Sequence, residues 1–195
     1  MSGEVPTREV ARRAFAREFN DATYEFRESE EERAPVYALL PTGARANRVF
    51  VVGTLTETEN VGSDGDIWRG RVVDPTGTFF TYAGQYQPDA ASTLREVEPP
   101  AYAAVVGKPR TFETDDGGVN VSLRPESISI VDSTTRDRWV VETALRTVER
   151  VAAFDGGGEY ARMAREEYGE NVEGYREAAM GALEELDEPE AEAAD

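Results

Sequence analysis

The chain of 195 residues contains no cysteine and no histidine, and Lys108 is its only lysine. Disulfides, cysteine nucleophiles, histidine general bases and the usual zinc sites are therefore excluded. The sequence also lacks a G-x-x-x-x-G-K phosphate loop and a G-x-S-x-G nucleophile motif. We predict that the protein is not an enzyme, that it has no catalytic residues and no metal site, and that it needs no cofactor.

Long hydrophobic runs are absent as well. No apolar stretch approaches the roughly 18 residues that a membrane-spanning helix needs. Residues 1–10 contain no apolar segment of the kind that forms a secretion signal. We therefore expect a cytoplasmic protein that does not associate with a membrane.

Positive charge is scarce. The chain has 39 acidic and 21 basic residues, which gives a net charge of −18. Such self-repulsion is best tolerated where salt screens it, with a Debye length of about 3 Å at 1 M. The composition is typical of cytoplasmic proteins from halophilic organisms. The alternative is an ordinary acidic protein. Residues 36–131 carry a net charge of −4 and residues 132–195 a net charge of −11, so the middle of the chain is the least acidic part per residue.

The segment Asp66–Pro88 contains two strand-like runs around one turn. Ile67–Val73 and Thr78–Tyr82 are rich in aromatic and β-branched residues, which is typical of strands. Between them, Asp74–Gly77 supplies an aspartate to accept a turn hydrogen bond, a proline, and a glycine for a left-handed exit. Rings and arginines on a small sheet suit single-stranded nucleic acid; the alternative is that the rings fill a core.

Three further segments complete a strand pattern. They are Asn47–Thr58 with Gly53 at its middle, Ala101–Gly107, and Val119–Val131, which Pro125 interrupts. A short helix from Pro88 precedes Ala101, and residues 108–118 read as a polar loop. The order strand, strand, strand, helix, strand, strand predicts a five-stranded Greek-key barrel of the OB type over residues 47–131.

The flanking regions are predicted to be mainly helical, so the fold class is α+β with a mainly β core. Residues 1–46 form an N-terminal helical arm with short strands, and the helix is expected to begin near Pro6 and Thr7. Its apolar stripe consists of Val10, Ala14, Phe15 and Phe19. Residues 132–187 form helices with apolar faces, and residues 188–195 form an acidic disordered tail.

Three segments carry a family resemblance: ARANRVFVVGTLTE, VVDPTGTFFTYAGQYQP and GKPRTF. With them the chain resembles the archaeal single-stranded DNA-binding proteins of the replication protein A group, in particular the haloarchaeal replication protein A-associated proteins. The resemblance implies an OB fold, binding of single-stranded DNA in replication and repair, and a complex with a sister replication protein A subunit. The zinc ribbon of some members cannot form here without cysteine or histidine.

The resemblance also implies where DNA is bound. The stacking positions on strands two and three and in the loop between strands four and five are held by Trp68, Phe80 or Tyr82, and Phe112. The cationic candidates, each with a surface ion pair as its alternative role, are Arg69, Arg71, Lys108, Arg110 and Arg124.

The turn between the two strands decides which of these side chains share a face. A type I turn with a bulge at Gly77 puts Trp68 on the same face as Phe80 and Tyr82. A two-residue loop instead puts Arg69 and Arg71 with the strand-three aromatics, because a shift of one residue exchanges the faces of a strand. The sequence leaves both open, and we favour Trp68, Tyr82 and Phe112 as stacking residues.

Two functions follow from these observations. The first is a single-stranded DNA-binding subunit that binds by base stacking, which high salt weakens less than phosphate contacts. The second is a protein-interaction subunit that supports a DNA-binding partner without contacting DNA itself. In both, the helices between Asp132 and Leu186 are expected to hold the sister subunit.

Overall fold

The computed structural model describes residues 8–188. Within them the strands are β1 (Arg12–Arg13), β2 (Glu25–Phe26), β3 (Tyr37–Leu40), β4 (Ala44–Ala46), β5 (Val49–Asn60), β6 (Trp68–Asp74), β7 (Gly77–Ala83), β8 (Ala101–Glu113) and β9 (Val119–Val131). The α-helices are α1 (Ala16–Asp21), α2 (Pro88–Glu96), α3 (Ser133–Ala153), α4 (Glu159–Tyr168) and α5 (Glu173–Asp187). The predicted acidic tail lies outside the described residues from residue 189 onward, as do residues 1–7 of the predicted N-terminal arm.

Five of the strands close into a barrel. Their order is β5-β6-β7-β9-β8, and β8 pairs back onto β5. The β7–β9 pair is parallel and the other barrel pairs are antiparallel. With α2 between β7 and β8, this is the Greek-key barrel of the OB fold. The predicted fold class is confirmed, including the N-terminal helix and the C-terminal helical extension.

Strand β5 pairs with two neighbouring strands, and a glycine lies where it changes from one to the other. Val49–Leu55 pairs with β8, and Thr54–Asn60 pairs with β6. Gly53 lies just before this exchange, where a Cβ atom would come within 2.5 Å of the carbonyl oxygen of Val73. A side chain at this position would therefore push the two sides of the barrel apart.

Strands β8 and β9 stay paired with each other beyond Val49, the first residue of β5, and we call this part the β8–β9 arm (residues 108–113 and 119–124). Strand β7 adjoins the arm, since Thr81 pairs with Leu123. The arm begins at Gly107, where the register shifts and a Cβ atom would lie 2.3 Å from the carbonyl oxygen of Arg124. The prediction of a polar loop over residues 108–118 is wrong, because only residues 114–118 connect the two strands. Pro125 does not interrupt β9; it lies at this irregularity, a position where proline is tolerated.

Asp74 closes the β6–β7 hairpin. The loop has two residues, since Asp74 pairs with Gly77. The Asp74 carboxylate accepts hydrogen bonds from the Thr76 amide (2.6 Å) and the Gly77 amide (3.0 Å), and also from the Ala16 amide at the start of α1 (2.7 Å). The turn hydrogen bond was predicted correctly, but Gly77 does not adopt the left-handed conformation we expected.

We predict that Asp74→Ala destabilises the fold by about 1–3 kcal/mol, because it leaves the buried Ala16 amide without an acceptor. Urea unfolding at fixed salt measures this. Asp64→Ala is the matched control, since Asp64 is exposed and its loss changes the net charge equally. Equal unfolding midpoints for the two variants would contradict the prediction.

The N-terminal helix is shorter than its apolar stripe indicated. It begins at Ala16, whereas Val10 is 83% exposed and Arg12–Arg13 pair in parallel with β5. Phe15 and Phe19 are buried as expected, against the barrel and α3. Pairing with β5 thus replaces the first helical turns, a tertiary effect that overrides local propensity.

The C-terminal helices pack on the barrel. The Trp139 indole donates a hydrogen bond to the carbonyl oxygen of Phe50 (2.8 Å), and Trp139 and Ala144 both belong to the buried core. The apolar face predicted for α3 is divided, because Val141 and Leu145 are about half exposed while Ala144 is buried. Among residues 8–188, no helix is long and apolar enough to cross a membrane.

Candidate nucleic-acid interface

One face of the β8–β9 arm gathers four of the predicted site residues. Cross-strand pairs on this face are Lys108 with Arg124, Arg110 with Ser122, and Phe112 with Asn120. The alternate residues Pro109, Val121 and Leu123 are buried. Because side chains alternate along a strand, burial of one face fixes the other outward. The exposed face carries three cations, one ring and two small polar side chains.

The β6–β7 hairpin has the two-residue loop, the second of the two turns that the sequence allowed. Its outer face therefore carries arginines together with aromatic side chains. Arg69 pairs with Tyr82, and Arg71 pairs with Phe80. Trp68 instead pairs with Ala83, packs against the core and has its indole nitrogen buried without a partner among the described residues. The alternative in which Trp68 shares a face with Tyr82 is therefore excluded, because the two-residue loop shifts the register by one residue.

The two faces meet at their aromatic ends. A cavity of about 420 Å³ is lined by Phe80 and Tyr82 from the hairpin and by Phe112, Asn120 and Ser122 from the arm. Rings that the sequence separates by about thirty residues therefore border one space.

A larger groove of about 1,320 Å³, which we call the ring groove, continues from the same side chains. Tyr82, Phe112 and Ser122 line both spaces. The walls of the groove are the β5–β6 loop, α2 and the arm, and its cationic side chains are Arg95, Arg110 and Arg124. Asp64, Asp66 and Asp89 also line it, so the groove is mixed in charge rather than uniformly basic.

Sequence reasoning missed Tyr86, which lines the ring groove and is 78% exposed. Ile67, which also lines it, is 44% exposed, as is Phe112. The signal for Tyr86 was its position in the loop between Gly84 and Pro88, where a tyrosine flanked by glutamines has no strand partner. Exposed rings clustered on one surface commonly mark a binding site.

The arginines of the hairpin are already occupied. The Arg69 guanidinium contacts the carboxylates of Glu59 (2.6 Å) and Glu57 (3.7 Å) and lies 5.6 Å from the centre of the Phe80 ring. The Arg71 guanidinium donates to the Thr56 hydroxyl (3.2 Å). A phosphate at Arg69 would have to compete with two carboxylates.

The cations of the arm differ in this respect. Within residues 8–188, Lys108, Arg110 and Arg124 form no ion pair. Burial lowers the pKa of Lys108, and repulsion from Arg48, Arg110 and Arg124 lowers it further against the opposing effect of Glu126. Burial also lowers the pKa of Arg110; the neighbouring Glu25 opposes this effect, and Arg124 adds to it. A bound anion would relieve the repulsion among these like charges.

This arrangement places stacking surfaces next to cations. Bases can stack on rings of any sequence, and phosphates can contact the neighbouring guanidinium and ammonium groups. Among the described residues, no group of three or more carboxylates is placed to hold a metal ion. The chemistry that the surface offers is therefore recognition of an aromatic and anionic ligand.

No family model matches the chain, and no curated protein sequence does. Solved structures with a similar fold include an OBody bound to hen egg-white lysozyme, at 15% identity and a TM-score of 0.36, covering 44% of this chain and 94% of that one. A mitochondrial single-stranded DNA-binding protein from S. cerevisiae matches at 22% identity and a TM-score of 0.33, over 44% of this chain and 92% of that one. Asparaginyl-tRNA synthetase from Pyrococcus horikoshii matches at 12% identity and 0.35, over 58% of this chain and 33% of that one. Likeness at this level carries no argument about function.

Proposed function

We propose that the protein binds single-stranded DNA in the ring groove. Bases stack on Tyr82, Tyr86 and Phe112, and phosphates contact Arg110 and Arg124. The observation that carries the proposal is the exposed face of the β8–β9 arm, where a half-exposed ring and two cations without ion pairs, Arg110 and Arg124, border a groove lined by two further rings. In a chain of net charge −18, this cluster provides a local surface at which an anionic ligand meets positive rather than negative side chains.

The ring groove favours a single strand over a duplex. Its recognition surfaces are ring faces, which bases can reach only when they are unstacked from their neighbours. Duplex recognition commonly inserts a helix or a β-ribbon into a groove, guided by strong positive charge. Here the barrel region is itself acidic, with a net charge of −4 over residues 36–131.

The more specific role is that of a subunit in a replication protein A-like complex for replication and repair in a halophilic cytoplasm. The resemblance of the segments at residues 44–57, 72–88 and 107–112 supports this role. The acidic composition is compatible with it, because stacking retains its strength in salt that screens phosphate contacts.

The test is the binding of fluorescently labelled oligothymidine to the isolated chain in molar KCl, followed by anisotropy. We expect binding of the single strand and at least about tenfold weaker binding of a duplex of the same length, because a duplex does not expose its base faces. Failure of the isolated chain to bind any oligonucleotide while circular dichroism shows it folded would contradict DNA binding by this chain.

Exposed apolar side chains on α3 favour the second function, an interaction subunit. Val141 and Leu145 are 49% and 48% exposed and lie four residues apart on one helix face. We predict that Val141→Glu with Leu145→Glu releases a co-expressed replication protein A subunit, because two charges would be buried in the interface. Affinity co-purification measures the release. Met180→Glu is the control, since Met180 is similarly exposed on α5.

Point variants are better suited to this test than deletion of the helices. Glu18 is only 1% exposed, and its carboxylate contacts the Arg150 guanidinium on α3 at 3.0 Å. Removing α3 would leave that carboxylate buried without its partner, which strongly destabilises a fold. If the complex survives the double α3 variant and the Met180 variant equally, the interface lies elsewhere.

A further inference from the structure

The basic face of the β8–β9 arm extends beyond the ring groove. Two cavities of about 510 Å³ and 470 Å³ border it, and the second is also lined by the N-terminal segment, including Arg8 and Arg27. Both are lined by Arg48, Lys108 and Arg110, so they are neighbouring spaces that share a wall. We call the two cavities together the basic track.

The basic track is continuous with the ring groove. The first cavity and the groove share Arg110 and Arg124 of the arm and the segment from Tyr86 to Asp89. A chain lying in the groove therefore meets the first cavity at its end, and the second cavity follows past Lys108.

Cations outnumber acids along the basic track. The side chains lining it with positive charge are Arg8, Arg27, Arg33, Arg48, Lys108, Arg110 and Arg124. The acidic side chains lining it are Glu9, Glu32, Asp89 and Glu126. The chain as a whole has nearly two acids for each base, so this surface reverses the balance of the rest of the molecule.

Most of these cations remain available to a ligand. Two of the seven, Arg8 and Arg48, form ion pairs with Glu126. Within residues 8–188 the other five form no ion pair, although Arg27 donates to the carbonyl oxygen of Ala34 at 2.9 Å. In the second cavity the aromatic side chain is Tyr37, which is only 7% exposed. That cavity therefore offers charge without a stacking surface.

We infer that the basic track holds the sugar–phosphate backbone of the strand after it leaves the ring groove, an inference that rests on the proposed function. The molecule thus has a bipartite interface. Its first part binds bases mainly by stacking and depends on salt only through its contacts to Arg110 and Arg124. Its second part binds phosphates by charge and weakens more strongly as salt rises. Strands too short to leave the groove bind through the first part alone.

The test compares Arg33→Ala with Lys108→Ala, combined in one chain, against wild type. Neither residue lines the ring groove. Arg138→Ala with Arg162→Ala is the matched control, because both arginines are exposed on other elements and their loss changes the net charge equally. Labelled oligothymidines of about 4 and about 16 nucleotides, the ends of the range for one OB fold, are titrated across a tenfold range of KCl in which circular dichroism shows every variant folded.

We expect the short oligonucleotide to bind the double track variant like wild type and the long one to bind it more weakly. Each phosphate contact on a single strand contributes about −0.7 to the slope of log affinity against log salt. Losing two contacts lowers that slope by about 1.4, so the affinity gap for the long strand widens by about 25-fold over a tenfold decrease in salt. The control variant shows no such length-dependent gap.

Three results would overturn the inference. Equal weakening of both lengths means that the two cations act on the groove itself, and equal binding of the long strand by variant and wild type means that the strand does not reach the track; in both cases the proposed function stands. If wild type binds no oligonucleotide, the proposed function fails. A calorimetric titration with tripolyphosphate, lost in the track variant, would then identify an independent anion site instead of a strand path.

Discussion

Replacing Tyr82 and Phe112 together by alanine should weaken binding of single-stranded DNA in molar KCl by about 2–6 kcal/mol, because each stacked ring contributes about 1–3 kcal/mol. The melting temperature should remain nearly unchanged. Both rings line the ring groove and the cavity beside it, and neither belongs to the buried core. Anisotropy titration and thermal melting of the same samples provide the two readouts.

Two comparisons make this result specific. Tyr24→Ala removes a ring that is 38% exposed but lies outside the groove, so it should leave binding unchanged. Trp68→Ala should mainly lower stability, by about 2–4 kcal/mol, because Trp68 packs against the core. Arg71→Ala and Arg110→Ala should have small effects in molar salt and larger ones as salt is lowered.

The opposite pattern would reject stacking as the mechanism. If the arginine variants abolish binding in molar salt while the ring variants only unfold the protein, the rings are structural. If neither class alters DNA binding by the assembled complex, the chain is an interaction subunit.

The barrel could be predicted from sequence because its signals are local. Alternating strand patterns, the Asp74–Gly77 turn and the helix before Pro99 each lie within a short segment, and together they define the order of elements. The register of the hairpin could not be predicted, since the two turns differ by one residue and reverse every side chain. The contact that accompanies the observed register is between Asp74 and the distant Ala16 amide, which no local pattern contains.

The β8–β9 arm illustrates the same limit at the candidate site. Residues 108–113 read as a polar loop because their charged face alternates with a proline and threonine, and few apolar residues mark a strand. Their strand conformation depends on pairing with residues 119–124. Lys108, Arg110, Phe112 and Arg124 were therefore identified individually, whereas their common face emerges only from the pairing.

The start of the N-terminal helix was also predicted incorrectly. The apolar stripe of Val10, Ala14, Phe15 and Phe19 predicts a helix, but the chain at Arg12 joins β5 as a parallel strand before the helix begins. Parallel pairing is a contact between distant segments and leaves little trace in the local sequence. The basic track was missed for a similar reason, because Arg27, Arg33 and Lys108 line one cavity although they are far apart in the chain.

Lowering KCl from molar concentration to about 50 mM should unfold the protein, because the Debye length grows severalfold and most of the acidic charge is no longer screened. The largest share of that charge lies in residues 132–195, with a net charge of −11. We expect the helical signal in circular dichroism to be lost first, since α3 and α5 pack against each other in this acidic region. Full stability at about 50 mM salt would contradict the prediction.

Opposite changes of charge on the C-terminal helices test whether repulsion among acidic side chains causes the unfolding at low salt. Glu177→Gln, Glu184→Gln and Glu185→Gln, made together, remove three exposed acids of α5 and should shift the unfolding midpoint to lower salt. Arg138→Gln with Arg162→Gln removes two exposed bases of α3 and α4 and should shift the midpoint to higher salt. An uncharged osmolyte should not replace KCl, because it does not screen charge. Midpoints that move in the same direction for both variants would mean that the salt requirement arises from hydration or specific ion binding rather than from repulsion among the acids.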